Sequence, residues 1–256
     1  MNELKQKLLD EISMMELLII EYQEITKPIP LGGIIIRPKV NTVSTVQNRL
    51  TEKCPFCDQY GEIFYRDKYF CCNGCSGIFM ASGFLPTIRE EKERYEEHIN
   101  DVTDVRYQNF VSPIINAVHS NFSINSLGLD FGSGTGPVIS KILGDNKYKL
   151  MQFDPYFCND TYALQLKYDY IVCCEVMEHF NSPSKEFELL KSLLKPNGHL
   201  YCMTHLYDNK IDFDNWYYKN DQTHVFIYQR ETLMQIKDRF KFSSLTIEDR
   251  LMTFIN

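Results

Sequence analysis

LDFGSGTGP, Leu129 to Pro137, is the stretch on which the fold turns. It ends an apolar run, Ser126 to Phe131, with the carboxylate of Asp130 near its close. Glycines follow at 132, 134 and 136, and Pro137 opens a helix-like segment, PVISKILG. Glycine permits a sharp strand-to-helix turn and lets the backbone come close to a ligand. A dinucleotide fingerprint, G-x-G-x-x-G, would need glycine at 137, where Pro137 stands. An acid followed by G-x-G-x-G suits a ligand without phosphates, with Ser133 and Thr135 as the polar residues between the glycines.

Outward from this turn, KLMQFD reads as the next strand and ends in Asp154. On a neighbouring strand of a doubly wound sheet, such an acid can accept both hydroxyls of a ribose. S-adenosylmethionine meets these demands. It has a carboxylate for a helix N-terminus, a cationic sulfonium and ammonium that favour nearby acids, and a ribose.

The chain has 256 residues and a formal net charge of -7. That length buries a full α/β core and leaves room for a small appendage. The acidic balance repels phosphate backbones and weighs against RNA as a partner. No apolar run approaches the roughly 20 residues a membrane span needs. The first residues lack the basic-then-apolar plan of a signal peptide, so the expected location is the cytoplasm, with no membrane association.

Nine cysteines, an odd number, point to thiols in a reducing compartment and away from a disulfide framework. Five lie between 54 and 75. Cys54 and Cys57 form one C-x-x-C, and Cys72 and Cys75 another, flanking EIFYRDKYF, a plausible strand pair. Four thiolates on two facing turns match the tetrahedron zinc prefers and leave no open position for water, which makes the expected zinc structural. Cys71 competes with Cys72 as a ligand, although only Cys72 keeps the two-residue spacing to Cys75. Reduced buried cysteines are the plainer alternative. The module resembles a zinc ribbon of the kind found ahead of several methyltransferases.

Three regions follow: residues 1–50 as an amphipathic helix and linker, 51–83 as the zinc-ribbon-like module, and 84–256 as the main domain with a helical preface. In the first, Leu4, Leu8, Ile12, Met15, Ile19 and Tyr22 form one stripe, suited to docking on the same chain or pairing two copies into a homodimer. Pro28 and Pro30 end it. The irregular cover extends to about Lys53. IREEKERYEEHIN and VRYQNFVSPIINAVHSNF read as two helices with mostly solvated charges, their aromatics Tyr95, Tyr107 and Phe110 packing on the main domain. A lid over the cofactor is the lesser role for this preface.

With these residues assembled, the segment from about Asp104 to the C-terminus resembles the class I S-adenosylmethionine-dependent methyltransferases. LDFGSGTG is similar to the family's first motif and Asp154 to its ribose acid. YDYIVCCEVMEHF resembles the fourth strand and its loop, and LLKPNGHLYCMTH the helix end, turn and fifth strand. EVMEHF and LKPNG are most similar to the branch containing ubiquinone-pathway O-methyltransferases. The resemblance implies an α/β fold: a doubly wound, seven-stranded Rossmann-like sheet with a closing antiparallel hairpin, here SLTIED and RLMTFI. It also implies S-adenosylmethionine as cofactor, held by Asp130, Gly132, Ser133, Gly134, Thr135, Gly136, Asp154 and Glu175.

Methyl transfer is an in-line displacement at carbon, so the enzyme aligns a nucleophile and, for a hydroxyl, removes a proton. Of six histidines, His98 and His119 fall in the helical preface and His199 near a strand start. His179, His205 and His224 fall where an α/β sheet forms its crevice. His179 is the favoured general base or substrate orienter, with His205 and His224 next; a structural bonding role is the alternative for each. Glu175 and Glu178 could hold the cofactor or a substrate amine, or cap the next helix. Trp216, Tyr217 and Tyr218 could wall a planar substrate or belong to the core. Cys173 and Cys174, with no proline before them, read as small buried strand residues.

These readings converge on transfer of a methyl group to an O or N nucleophile of a small molecule. RNA modification with the zinc module gripping substrate, protein methylation, and a noncatalytic cofactor-binding interaction protein are the alternatives.

Overall fold

The computed structural model describes residues 51–97 and 100–256. The N-terminal stripe, the linker up to residue 50 and His98 lie outside the described residues.

The main sheet is built on β5 (Leu127–Phe131), β6 (Lys149–Phe153), β7 (Tyr168–Cys174), β8 (Leu194–Met203), β10 (Ser244–Glu248) and β11 (Leu251–Ile255). Its order is β10-β11-β8-β7-β5-β6. The four strands from β6 to β8 run parallel, and β11 and β10 close the edge antiparallel. This is the open, mostly parallel plan of an α/β fold, with the closing hairpin in the expected place. The sheet has six strands among the described residues, not seven. The segment 154–167, between β6 and β7, contains only a short turn of 3-10 helix, Thr161–Gln165. It is too brief for the further helix and strand that a seventh member requires.

Central strands buried on both faces need apolar residues on both. Leu129, Phe131, Ile171, Cys173, Leu200 and Cys202 face one layer, with α4 (Pro183–Leu193) and α5 (Arg230–Arg239). Tyr170, Val172, Tyr201 and Met203 face the other, with α2 (Val105–Asn121) and α3 (Val138–Asp145). In α2, Val111, Ile114, Ile115 and Val118 form the buried stripe. Each such aliphatic side chain is worth about 1.5–3 kcal/mol of burial. Pro113 interrupts the backbone ladder of α2, and the Ser112 hydroxyl donates to the Asn109 carbonyl (2.7 Å) that a proline cannot reach. Ahead of α2, α1 (Ile88–Glu96) starts on a capping box, Thr87 with Glu90.

The cysteine region forms a second, antiparallel sheet: β1 (Thr51–Lys53), β2 (Tyr60–Tyr65), β3 (Tyr69–Cys72) and β4 (Ile78–Met80). Its fifth strand, β9 (Phe226–Ile227), comes from far along the chain and pairs Ile78 with Ile227 and Phe79 with Phe226. The aromatic loop before it packs on this sheet. Trp216 and Tyr218 are buried with Tyr69, Ile78, Met80 and Phe213, so they are core and not a substrate wall, while Tyr217 is exposed. No described helix is long and apolar enough to cross a membrane.

Candidate functional site

The glycine turn joins β5 to α3. Gly132 (φ +76°) and Gly134 (φ +63°) occupy the left-handed region, which a side chain would strain. Both Gly132 and Ser133 amides donate to the Phe153 carbonyl, at 2.8 and 3.3 Å. A Cβ at Gly136 would stand 1.9 Å from the Asn100 carbonyl oxygen, so the chain at Asn100 lies directly on the turn. Nothing in the sequence pointed to Asn100. The Ser133 hydroxyl is buried without a hydrogen-bond partner. Thr135 is exposed.

Asp130 is buried beneath the turn, where loss of water pushes its carboxyl up to about 6 despite a 2.7 Å bond from the Ser140 hydroxyl. Asp154 is also buried. Its Oδ1 accepts the Tyr156 and Phe157 amides (2.8 and 3.0 Å) and its Oδ2 the Gly134 amide (2.9 Å). Asp154 therefore fastens the end of β6 to the glycine turn. A carboxylate offers about four acceptor positions, so a ribose hydroxyl would share Oδ2 with Gly134.

The loop after β7 carries the remaining acids. Glu175 has φ +53°, unusual for a non-glycine residue, and its Oε1 pairs with Arg250 Nη2 at 2.7 Å. Burial, reinforced by the nearby Glu178 charge, pushes Glu175 up to about 8 against the pull of Arg250. Val176 packs under Gly132, within 2.5 Å of where a Cβ would be. Glu178 is fully buried. Its Oε1 accepts the Tyr218 hydroxyl at 2.7 Å, and Tyr218 in turn meets Thr204 at 2.5 Å. Oε2 has no partner, and burial raises this carboxyl too.

His179 and His224 come together beside Glu178, with ring centroids 4.9 Å apart. Nδ1 of His179 lies 2.9 Å from the Thr223 carbonyl and Nδ1 of His224 lies 2.7 Å from that of Tyr218. In the neutral rings this fixes Nδ1 as the donor and Nε2 as the lone-pair nitrogen. Burial lowers the pKa of His224, with the Glu178 charge opposing. Ligand atoms from Glu178, His179 and His224 all lie within 4.8 Å of one another, a spacing that could hold a metal ion. His205 stands apart from this cluster. Its Nδ1 meets the Tyr217 hydroxyl at 3.2 Å, and it lines an open groove of about 340 Å³ with Arg230, Asp249 and Arg250.

α1 straps the two halves of the site together. Glu91, buried, accepts from Tyr156 Oη (2.6 Å), beside Asp154, and from Asn181 Nδ2 (3.0 Å), beside His179. Tyr95 sets its ring edge-on to His179 at 5.2 Å. Arg94 reaches Asp221 with Nη2 at 2.7 Å. Burial alone would raise the Asp221 carboxyl, but its bonds to Thr223 and Arg94 outweigh this and hold it below the ordinary range. The charges of this helix are thus not all solvated, as its composition suggested.

In the cysteine module, Cys54, Cys57, Cys72 and Cys75 converge and could hold a metal ion. Cys54 and Cys75 sulfurs are 3.7 Å apart and those of Cys57 and Cys72 3.3 Å, near the ~3.8 Å edge of a tetrahedron with ~2.3 Å zinc–sulfur arms. Each pair is followed by a residue in the left-handed region, Asp58 (φ +65°) and Ser76 (φ +60°), which turns the sulfurs inward. Cys71, one residue out of phase on β3, points away from the cluster toward Ser76 and Gln229.

The family model described as a methyltransferase domain matches residues 106–246, more than half of the chain. The chain belongs to this family. No curated protein matches the full sequence. Among solved structures, the methyltransferase chain is similar to human N-acetylserotonin methyltransferase, solved with S-adenosylmethionine (11% identity, TM-score 0.47, covering 67% of this chain and 60% of that one). It is also similar to an O-methyltransferase family protein from Burkholderia thailandensis (10%, 0.42, 83% and 81%) and a SAM-dependent methyltransferase from Thermotoga maritima (13%, 0.38, 58% and 97%). It spans 56% of an O-methyltransferase-like structure from Nostoc punctiforme. With TM-scores under 0.5, the family assignment rests on the sequence match.

Proposed function

We propose that the chain transfers the methyl group of S-adenosylmethionine to an oxygen or nitrogen of a small molecule. The observation that carries this is the placement of His179 and His224, with the buried Glu178, one loop away from the glycine turn. The turn suits the cofactor: Gly134 is open above its Cα, the Ser133 hydroxyl is buried without a partner, and Asp130 and Asp154 supply acids. Ser133, Gly134 and Asp154 would hold it, with Asp130 below. When bound, it supplies an electrophilic methyl carbon on a cationic sulfur.

His179 takes the proton from the acceptor, and His224 lies beside it to orient the acceptor. Glu178 fixes this pair through its side-chain bond to Tyr218 and its backbone carbonyl. Holding acceptor and methyl carbon in line is the larger contribution, and α1 supports it by tying the Asp154 and His179 loops to one helix. A second reading has a specific basis. The convergence of Glu178, His179 and His224, and the orphaned Glu178 Oε2, suit a divalent cation that would orient an acceptor oxygen.

The four cysteines would hold zinc in a structural role, since four sulfur ligands leave no open position. Modification of RNA, with this module as the grip, and a noncatalytic interaction role are the alternatives; the net charge of -7 weighs against the first. Incubation with methyl-labelled cofactor and fractionated cell extract distinguishes them. Label is expected in small metabolites. Label in RNA or protein, or none at all, would contradict the proposal.

A further inference from the structure

We infer that the cysteine module positions the methyl-acceptor side chains, and that one residue, Val225, joins the two. This rests on the reading of Glu178, His179 and His224 as the acceptor site. The Val225 carbonyl accepts the Met80 amide at 2.8 Å, extending the β4–β9 pairing, while the Val225 amide donates to the Glu178 carbonyl at 3.0 Å. One residue is thus bonded through its carbonyl to the zinc-ribbon-like sheet and through its amide to the backbone of Glu178, the acid of the acceptor cluster. His224, the preceding residue, is held independently: the Tyr69 hydroxyl, on β3, donates to its carbonyl at 3.2 Å.

The path back to the sulfurs is short. Cys75 is followed by Ser76, whose carbonyl accepts from Gln229 Nε2 at 2.5 Å, just beyond β9. Gly77 follows, and a Cβ there would stand 2.3 Å from the Phe226 ring, so the cysteine turn and β9 are in direct contact. Gly77 also accepts the Cys72 amide at 2.9 Å. A metal on the four sulfurs fixes this turn, the turn fixes β4, and β4 fixes Val225 and β9, with His224 immediately before them. The glycine turn has other supports: Phe153, Asp154, Val176 and Asn100. Tyr69, Gly77 and Val225 are therefore positioning residues for transfer and not for cofactor binding.

The test uses the full chain with zinc bound, labelled with 15N-histidine, and follows imidazole resonances before and after zinc is chelated. In parallel, S-adenosylmethionine affinity is read by calorimetry, and methyl transfer with the extract fraction that accepts label. A second protein, Gly77→Ala, keeps all four cysteines and pushes on Phe226. Chelation and Gly77→Ala should each move the His179 and His224 signals and leave those of His119 and His199 in place. Cofactor affinity should stay within about twofold, and transfer should fall about tenfold or more, as small misplacements in an aligned site do. His179 and His224 signals that stay fixed in both cases would overturn the inference, as would cofactor affinity falling in step with transfer. If the signals move and transfer does not change, the coupling stands and the acceptor-site reading fails.

Discussion

The glycine turn and the histidine cluster are assembled from the chain in different ways. The turn is local: its most distant hydrogen bond, from the Gly132 amide to the Phe153 carbonyl, reaches only the end of the neighbouring strand β6, and backbone geometry at Gly132 and Gly134 defines it. The cluster joins residues 40 or more positions apart, the Glu178 side chain with that of Tyr218 and the His179 ring with the Thr223 carbonyl, and is closed by β9 from the edge of another sheet. A site set by backbone tolerates side-chain change around it. A site set by distant side chains depends on everything that carries them.

Mutations that strike one region and spare the other sharpen this contrast. The largest effect is expected for His179→Ala and His224→Ala. Loss of a positioned base costs on the order of 10²- to 10⁴-fold in transfer, while cofactor affinity stays within about twofold. Steady-state rates alongside calorimetry read both. Asp154→Ala should do the reverse and weaken cofactor binding about 10- to 100-fold. Because the Gly134, Tyr156 and Phe157 amides lose their acceptor, its thermal midpoint should fall even without cofactor, at about 1–3 kcal/mol for each amide left buried.

The dependence on pH separates the regions further. Burial lowers the pKa of His224, so its imidazole resonance should titrate below the ordinary histidine value of about 6.5. Glu175 acts on stability. Its folded pKa of about 8 exceeds its ordinary 4.5, so the folded state binds the extra proton, and the contribution is full below 4.5 and lost as pH rises through 8. Glu175→Gln should flatten the decline of the melting temperature over that window. The smallest change is expected for Tyr218→Phe, which removes the hydroxyl shared by Glu178 and Thr204. A neutral loss of this size, ~1 kcal/mol, predicts a fall in transfer of about fivefold with no change in cofactor affinity.

What could be read in advance follows the same division. β5, the turn, α3 and Asp154 were legible because glycine spacing and strand-end acids are local signals. The paired C-x-x-C turns were legible for the same reason, since spacing alone separates Cys72 from Cys71. β9 was not, because two residues, Phe226 and Ile227, carry no periodicity and pair with a strand almost 150 positions earlier. The buried role of Glu91 and the ion pair of the half-buried Arg94 were hidden by a charged helix whose pattern is that of a solvated face. Trp216 and Tyr218 could not be told from a ligand wall until the second sheet gave them neighbours. The missing seventh strand was implied by the short interval between Asp154 and Tyr168, which the family pattern obscured.

Calorimetric titration of S-adenosylmethionine into the unaltered protein, His224→Ala and Asp154→Ala tests the central claim most directly. The unaltered protein and His224→Ala should bind with nearly equal affinity and Asp154→Ala far more weakly. An unaltered protein that ignores S-adenosylmethionine but takes up a nicotinamide or flavin dinucleotide would contradict the account, as would equal losses in both variants.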